Sequence, residues 1–328
     1  MKDLSKPIER LDRTVAPEQS GERLDHVLAA WITWRSRSDL QKRIRAGTVL
    51  VNGKPVKSRT KVFAGDVITV MVENPGADAV DPDGIPIVVL HEERSFVVLD
   101  KPPGVVMHPV GKHVYDTLMN VLHARYKRDF PELDVTPMVV HRLDRDTSGV
   151  LLIAKEEDVR KRLGAAFEGR DVEKEYLALV FGRIDADTFT VNQPIGPDPL
   201  ADNKTKMACI PDGRASYTEF AVVERFARAT LVRCFPKTGR QHQIRVHLAH
   251  TGHPILGDAL YAEGREPTAA ELGLPGSPDA RVLDRQALHA ARLVIPHPTG
   301  DGRLAFESPL AADLSALVDR LRAATRSE

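Results

Sequence analysis

His141-Arg142-Leu143-Asp144-Arg145-Asp146-Thr147-Ser148-Gly149 is densely polar, yet it lies between two apolar runs, Met138-Val139-Val140 and Val150-Leu151-Leu152-Ile153-Ala154. Short, rich in β-branched residues and bounded by turn formers, those runs read as buried strands. A polar segment between them is a turn at the edge of a sheet, and turns on rigid scaffolds are where chemistry concentrates. The plainest reading of the segment is structural. Asp146, Thr147 and Ser148 would bond their own backbone, Asp146 toward Ser148 or Gly149, with Gly149 at positive φ. A catalytic reading has to come from farther out along the chain.

Upstream stands Asp100-Lys101-Pro102-Pro103-Gly104-Val105-Val106-Met107-His108-Pro109, and downstream Lys174-Glu175-Tyr176-Leu177-Ala178. Beyond these come Thr238-Gly239-Arg240-Gln241-His242-Gln243-Ile244-Arg245-Val246-His247, then Gly252-His253-Pro254-Ile255-Leu256-Gly257-Asp258, then Gln286-Ala287-Leu288-His289-Ala290. His-Arg-Leu-Asp-x-x-Thr-Ser-Gly, with the other segments in this order, resembles the RluA-type pseudouridine synthases, which isomerise uridine in structured RNA. The likeness runs from about residue 87 to 325. It departs from the family's pattern at Asp116-Thr117-Leu118, between Pro197 and Lys206, and in the Pro-, Gly- and acid-rich stretch from Ala262 to Asp284. None of these departures touches the residues expected to do chemistry, but all bear on which RNA stem docks.

Pseudouridine formation breaks the bond from C1′ to N1 of uracil and rejoins the base through C5. Nothing is oxidised and no group is imported, so neither a metal nor a cofactor is expected. The resemblance assigns the essential carboxylate to Asp144, which would attack C1′ or C6 or take a proton from C2′; the sequence leaves the three routes open. Arg245 is implied as its partner, because a nearby guanidinium favours the ionised carboxylate and fixes its geometry. Tyr176 resembles the tyrosine that lies against the flipped uracil, and Arg142 the arginine that meets RNA where the base leaves its stack, at a cost of about a few kcal/mol. His141, Lys101, His108 and Arg240 are further RNA-contact candidates. His247, His250 and His253 recur every three residues, but no carboxylate or cysteine completes a familiar metal site.

The chain has 328 residues, 42% of them hydrophobic, room for two domains and a sizeable core. No apolar h-region follows Met1 and no run approaches a membrane span, so neither secretion nor membrane insertion is expected. Cys209 and Cys234 make no zinc spacing and imply no disulfide framework, which fits a reducing cytosol. Lys and Arg together number 46, and so do Asp and Glu; that balance by itself argues against a nucleic-acid partner. The balance conceals an asymmetry. Residues 21–72 hold ten basic and four acidic residues, a net of +6, and residues 73–93 hold six acidic and no basic ones, a net of −6.

Within the basic block, Leu24, Val27, Leu28 and Trp31 predict a helix with Ser20 as its cap. Leu40 and Ile44 predict a second, opened by Ser36 or Ser38 and stopped by Gly47. Val49-Leu50-Val51, Asn52-Gly53 and Asp66-Val67-Ile68-Thr69-Val70 predict a tight hairpin and a further strand. This pattern resembles the S4 RNA-binding domain, which implies that Arg35, Arg37, Lys42, Arg43 and Arg45 face phosphates. The expected organisation is a tail (1–20), an S4-like domain (21–72), a flexible acidic Pro/Gly linker (73–86) and a catalytic domain (87–325). The fold class is α+β, a small α/β unit followed by a mixed, mostly antiparallel sheet. The expected partner is RNA, large-subunit ribosomal RNA first and transfer RNA as the alternative, bound by a cytoplasmic monomer. Two rivals stay open: a phosphatase using Asp144-x-Asp146, and a non-catalytic RNA-binding or ribosome-assembly factor.

Overall fold

The computed structural model describes residues 4–5, 10–32, 36–72, 81, 83–110, 113, 116–133, 135–203 and 205–326. Two compact units divide the chain, Met1–Ile85 with His108–Thr136, and Pro86–Met107 with Pro137–Glu328.

The first unit contains β1 (Arg10–Thr14), α1 (Leu24–Trp31), α2 (Arg37–Arg45), β2 (Val49–Val51), β3 (Lys54–Pro55), β4 (Val67–Met71) and α3 (Leu118–Asp129). Its sheet has the order β1-β4-β2-β3. Leu24, Val27, Leu28, Leu40 and Ile44 pack on Val49, Val51, Ile68 and Val70, so the predicted apolar positions do form the core. Ser36 caps α2 by accepting from the Asp39 amide, and Asn52 and Gly53 both take positive φ, as a two-residue hairpin between twisted strands requires.

Three expectations need correction. Ser20 does not cap α1: it follows the 3-10 turn Pro17–Gln19, and its hydroxyl accepts from the Ala64 amide. Residues 1–20 are not simply a tail, because β1 pairs along its whole length with β4. The stretch 87–325 is also interrupted, since α3 belongs with the first unit. The buried Asn120 donates to the Leu4 carbonyl (3.0 Å), and the Leu4 amide donates to His123 Nδ1 (3.2 Å). Of the expected linker, residues 73–80 and 82 lie outside those described; Asp83 accepts from Arg128 at 2.6 Å.

The second unit contains β5 (Val88–Glu92), β6 (Phe96–Lys101), β7 (Met138–Val139), β8 (Ser148–Ala154), α4 (Glu157–Glu168), β9 (Glu173–Phe181), β10 (Thr188–Val191), β11 (Ile195–Pro197) and β12 (Met207–Cys209). It continues with β13 (Thr218–Arg225), β14 (Ala229–Pro236), α5 (Gln243–His250), α6 (Ala269–Leu272), β15 (Leu288–Pro296), β16 (Arg303–Glu307) and α7 (Ala312–Thr325). Ten strands form one sheet, in the order β10-β13-β14-β9-β15-β8-β6-β5, with β16 on β15 and β7 on β8. Only the β15–β8 pair is parallel, so the sheet is mixed and mostly antiparallel, as expected.

Every residue of β8 is buried, which explains why Val150–Ala154 reads as one continuous apolar run rather than an alternation. Val159 and Leu163 of α4 cover β6, β8 and β15 over one core. Leu314, Leu317, Val318 and Leu321 of α7 cover β9 and β14 over another. The first of these cores holds both ends of the polar segment, through Met138 of β7 and Val150 of β8.

Candidate active site

The two apolar runs form strands as expected, β7 and β8, which pair with Val139 opposite Ile153 and are connected by residues 140–147. The Thr147 amide donates to the Asp144 carbonyl at 3.2 Å, which closes the turn. Buried cations hold the carbonyls that follow. Lys101 Nζ donates to Arg145 (2.9 Å) and Thr147 (3.0 Å), and Arg285 Nη1 donates to Asp146 (3.1 Å). Gln286 Nε2 donates to Thr147 Oγ1 at 2.8 Å, and His289 Nδ1 lies 3.0 Å from Ser148 Oγ. Arg285 is itself gripped by both carboxylate oxygens of Asp313 in α7, at 2.6 and 2.8 Å. Gly149 has φ +109, and a Cβ there would overlap the backbone of Ala290 on the parallel strand β15. The positive φ was expected; its cause, a close strand crossing, was not.

Two residues therefore play other parts than those expected. Lys101 is not an RNA contact: it is 1% exposed, and its ammonium is spent on three carbonyls, those of Arg145 and Thr147 and that of Pro102 (2.8 Å). Asp146 does not bond Ser148 or Gly149; its carboxylate pairs with the neighbouring exposed Arg145.

Asp144 lies at the end of this clamp. Its Oδ2 accepts from Arg245 Nη1 at 2.9 Å, and among the described residues no hydrogen bond reaches Oδ1. Arg245 stands in the first turn of α5, and its other nitrogens donate to both oxygens of the buried Asp258 at 2.7 and 2.8 Å. Asp258 Oδ1 also accepts the amides of Leu260 and Tyr261. One guanidinium thus bridges a fully enclosed carboxylate and a cleft-facing one, which fixes the second. Asp258 falls inside a sequence motif that gives it no part; nothing local marks an aspartate thirteen residues downstream as the partner of Arg245.

Tyr176 on β9 lines the same cleft. Burial pushes its phenol above the ordinary range, and the negative charge of Asp144 adds to the effect, so the hydroxyl keeps its proton. Among the described residues that hydroxyl has no hydrogen-bond partner. His141 is stacked on Phe167, with centroids 4.7 Å apart, and its Nε2 accepts the Leu152 amide at 3.0 Å. Burial pushes it down to about 3, and the charge of Lys174 acts in the same direction, so the ring is a neutral acceptor. It lines the cleft, but the nitrogen it would offer to RNA is already engaged.

His242, the residue that opens α5, has the left-handed conformation φ 56, ψ 19. Its Nδ1 lies 2.7 Å from the Tyr261 hydroxyl, which also accepts the Met207 amide, and its Nε2 is 4.0 Å from Asp144 Oδ2. The cleft measures about 560 Å3 and is lined by six cations, Arg142, Arg170, Lys174, Lys237, Arg240 and Arg245, against Asp144 and Glu168. Its charge suits a polyanion even though the whole chain is neutral. Among the described residues no group of three or more His, Cys, Asp or Glu is placed to hold a metal ion. His247 Nδ1 meets the Thr218 hydroxyl, while His253 Nδ1 meets the Phe181 carbonyl.

Comparison with known proteins gives this geometry its family. Residues 95–250 match the model of RNA pseudouridylate synthases, and residues 22–68 that of the S4 domain. A ribosomal large subunit pseudouridine synthase D of Nitrosomonas europaea is 38% identical over 95% of this chain and 88% of its own. An uncharacterized RNA pseudouridine synthase of Bacillus subtilis, YlyB, is 36% identical over 95% of this chain and 98% of its own. The solved structure of human RNA Pseudouridylate Synthase Domain Containing 4 covers 72% of this chain and 93% of its own, with 27% identity and a TM-score of 0.59. The chain belongs to the RNA pseudouridylate synthase family.

As a pseudouridine synthase, the protein isomerises uridine within RNA. The remaining RNA-contact candidates divide by what already occupies them. Arg142 is exposed and makes no hydrogen bond or ion pair among the described residues. Arg240 lines the cleft while its Nε donates to the Ala215 carbonyl (3.1 Å). His108 is exposed in the first unit. In the S4 domain Arg37 is engaged elsewhere: with Arg23 and Gln41 it donates to the fully buried Asp25. Burial alone would raise that carboxyl; the bonds from Arg23, Arg37 and Gln41 outweigh it and hold Asp25 well below the carboxylate range. Arg43 is mostly covered and lies 3.5 Å from Asp39, whereas Lys42 and Arg45 are exposed. Arg35 lies outside the described residues.

Proposed function

We propose that this synthase acts on large-subunit ribosomal RNA, with Asp144 as its catalytic carboxylate and Arg245 and Tyr176 beside it. One observation carries the assignment: Asp144 is tethered through Oδ2 alone, so Oδ1 is presented to a cationic cleft in a fixed direction. A carboxylate held by one oxygen is oriented by the protein without being used up by it. The salt link to Arg245 at 2.9 Å fixes the direction of the carboxylate that any of the three chemical routes needs. Tyr176, neutral and with its hydroxyl unengaged among the described residues, is suited to stack on a displaced uracil and to offer it a hydrogen bond. Arg142 and Arg240, both on the cleft wall, would meet phosphates, as would Lys42 and Arg45, exposed on the S4 helix α2.

The substrate rests on what relatives such as the Nitrosomonas protein are named for and on the S4 domain. The reading includes action as a monomer in the cytoplasm; no helix among the described residues is long and apolar enough to cross a membrane. Carbodiimide-stop sequencing of total RNA, from cells with and without the gene, tests reaction and substrate together. Particular large-subunit sites should lose their signal without the gene and stay lost when Asp144→Ala is supplied. Loss confined to transfer RNA would overturn the substrate, and activity of Asp144→Ala at even a few percent would overturn the catalytic assignment.

A further inference from the structure

We propose that His242 is a further catalytic residue of this reaction, its Nε2–H donating to a carbonyl oxygen of uracil while the base is detached. The inference rests on the pseudouridine synthase reading and on the role given there to Asp144. It begins with the Tyr261 hydroxyl, which is buried and accepts the Met207 amide at 3.0 Å. Its own proton needs an acceptor, and the one within reach among the described residues is His242 Nδ1 at 2.7 Å. That bond selects the tautomer: Nδ1 accepts, so Nε2 carries the hydrogen.

Nε2–H points into the cleft. Asp144 Oδ2 is 4.0 Å away, too far for a hydrogen bond, and already takes Arg245 at 2.9 Å. No other acceptor meets Nε2 among the described residues, and the side chain is only 12% exposed. A donor that no protein group occupies, on the wall of the cleft that Asp144 and Tyr176 also line, is open to a partner from outside. The left-handed backbone of His242 holds the ring there, and local strain of this kind persists only where surrounding structure enforces it.

The groups facing the ring are Asp144, Arg245, Asp258, Arg142 and Tyr261, and burial outweighs their mixed charges to keep it neutral. A neutral donor suits the chemistry. When the bond from C1′ to N1 breaks, its electron pair leaves with the base, and negative charge spreads onto the carbonyl oxygens O2 and O4. A fixed N–H beside the base stabilises that charge without giving up its proton; the base then rejoins through C5, which loses its proton as N1 gains one, so that the isomerisation balances with His242 unchanged. Donors fixed in advance where charge develops are among the strongest sources of enzymatic rate enhancement.

Single-turnover conversion of a large-subunit ribosomal RNA fragment tests the idea, with RNA affinity measured alongside. His242→Phe should slow conversion by about 100-fold, the usual effect of losing one such donor, while affinity changes by less than about threefold. His242→Gln, which keeps an N–H, should recover part of the loss. Tyr261→Phe frees the tautomer and should lower the rate without touching the ring; it serves if the Phe variant does not fold. Conversion by folded His242→Phe at the wild-type rate, or equal losses in rate and affinity, would overturn the proposal. Wild type inactive on both ribosomal and transfer RNA would overturn the reading beneath it, whereas an active wild type with a dead Asp144→Ala isolates the failure to His242.

Discussion

At the scale of single residues, the site is organised by shared occupancy. Arg245 serves Asp258 with two nitrogens and Asp144 with a third, and Lys101 serves three carbonyls. His141 shows what such engagement does to titration. Its ordinary value of 6.5 falls to about 3 in the folded chain, so between those values the unfolded chain binds a proton that the folded chain refuses. Stability contributed by the neutral ring is therefore full above 6.5 and is lost as pH falls toward 3. His141→Gln can still accept the Leu152 amide but does not titrate. Urea unfolding at about pH 7 and about pH 4.5 should show the variant gaining on wild type at the lower pH; a constant gap would contradict the account. The segment containing His141 and Asp144 and the later one containing Arg245 were legible in the sequence, yet the engagement of Lys101 was not. A lysine before Pro-Pro-Gly reads as an exposed turn residue, and only the pairing of β6 with β8 brings it beneath carbonyls 44 and 46 positions later.

At the scale of elements, the parallel contact between β8 and β15 is the tightest constraint on the turn. Ser148 and Gly149 face His289 and Ala290 in register, and Gly149 is the residue that permits the approach. Gly149→Ala adds a methyl group at a φ that side chains avoid and drives it into a neighbouring backbone. The variant should lose at least ~2 kcal/mol of stability, read as a lowered Tm, and its conversion rate should fall with it. A Tm equal to wild type would show that the strands move apart freely. The continuous apolar run of β8 and the helical spacing of α1 and α2 follow from the sequence directly. β1 did not, because five residues of mixed charge gain their meaning only from the partner strand β4, more than fifty positions away. The short helix α6, capped by Thr268, likewise lies in a stretch read only as a Pro- and Gly-rich loop.

At the scale of the whole molecule, a net charge of zero coexists with a polyanion-binding surface because charge is segregated. The cleft carries six cations against two carboxylates, and Lys42 and Arg45 stand exposed on α2. Binding to RNA should therefore weaken steeply with salt despite the neutral average. Replacing Lys42 and Arg45 together by Ala should reduce the slope of log Kd against log salt by roughly one unit for each phosphate that is no longer neutralised, with the conversion rate of bound RNA unchanged. An unaltered slope would remove α2 from the interface. The two-part organisation was visible from charge blocks alone, whereas the assignment of α3 to the first unit depends on buried bonds to Leu4 that no local pattern announces.

The grip of Asp313 on Arg285 bears on the protein's own synthesis. The turn carrying Asp144 leaves the ribosome well before the later residues that clamp it, Arg285, Gln286 and His289, and before the aspartate that anchors Arg285. Domains condense as translation proceeds, so for most of that time the turn exists without its clamp. A chain that stops before residue 313 retains every residue of the motif around Asp144 and lacks the aspartate that holds Arg285 against the turn. Full competence to modify RNA should thus come only with residues made long after the motif itself.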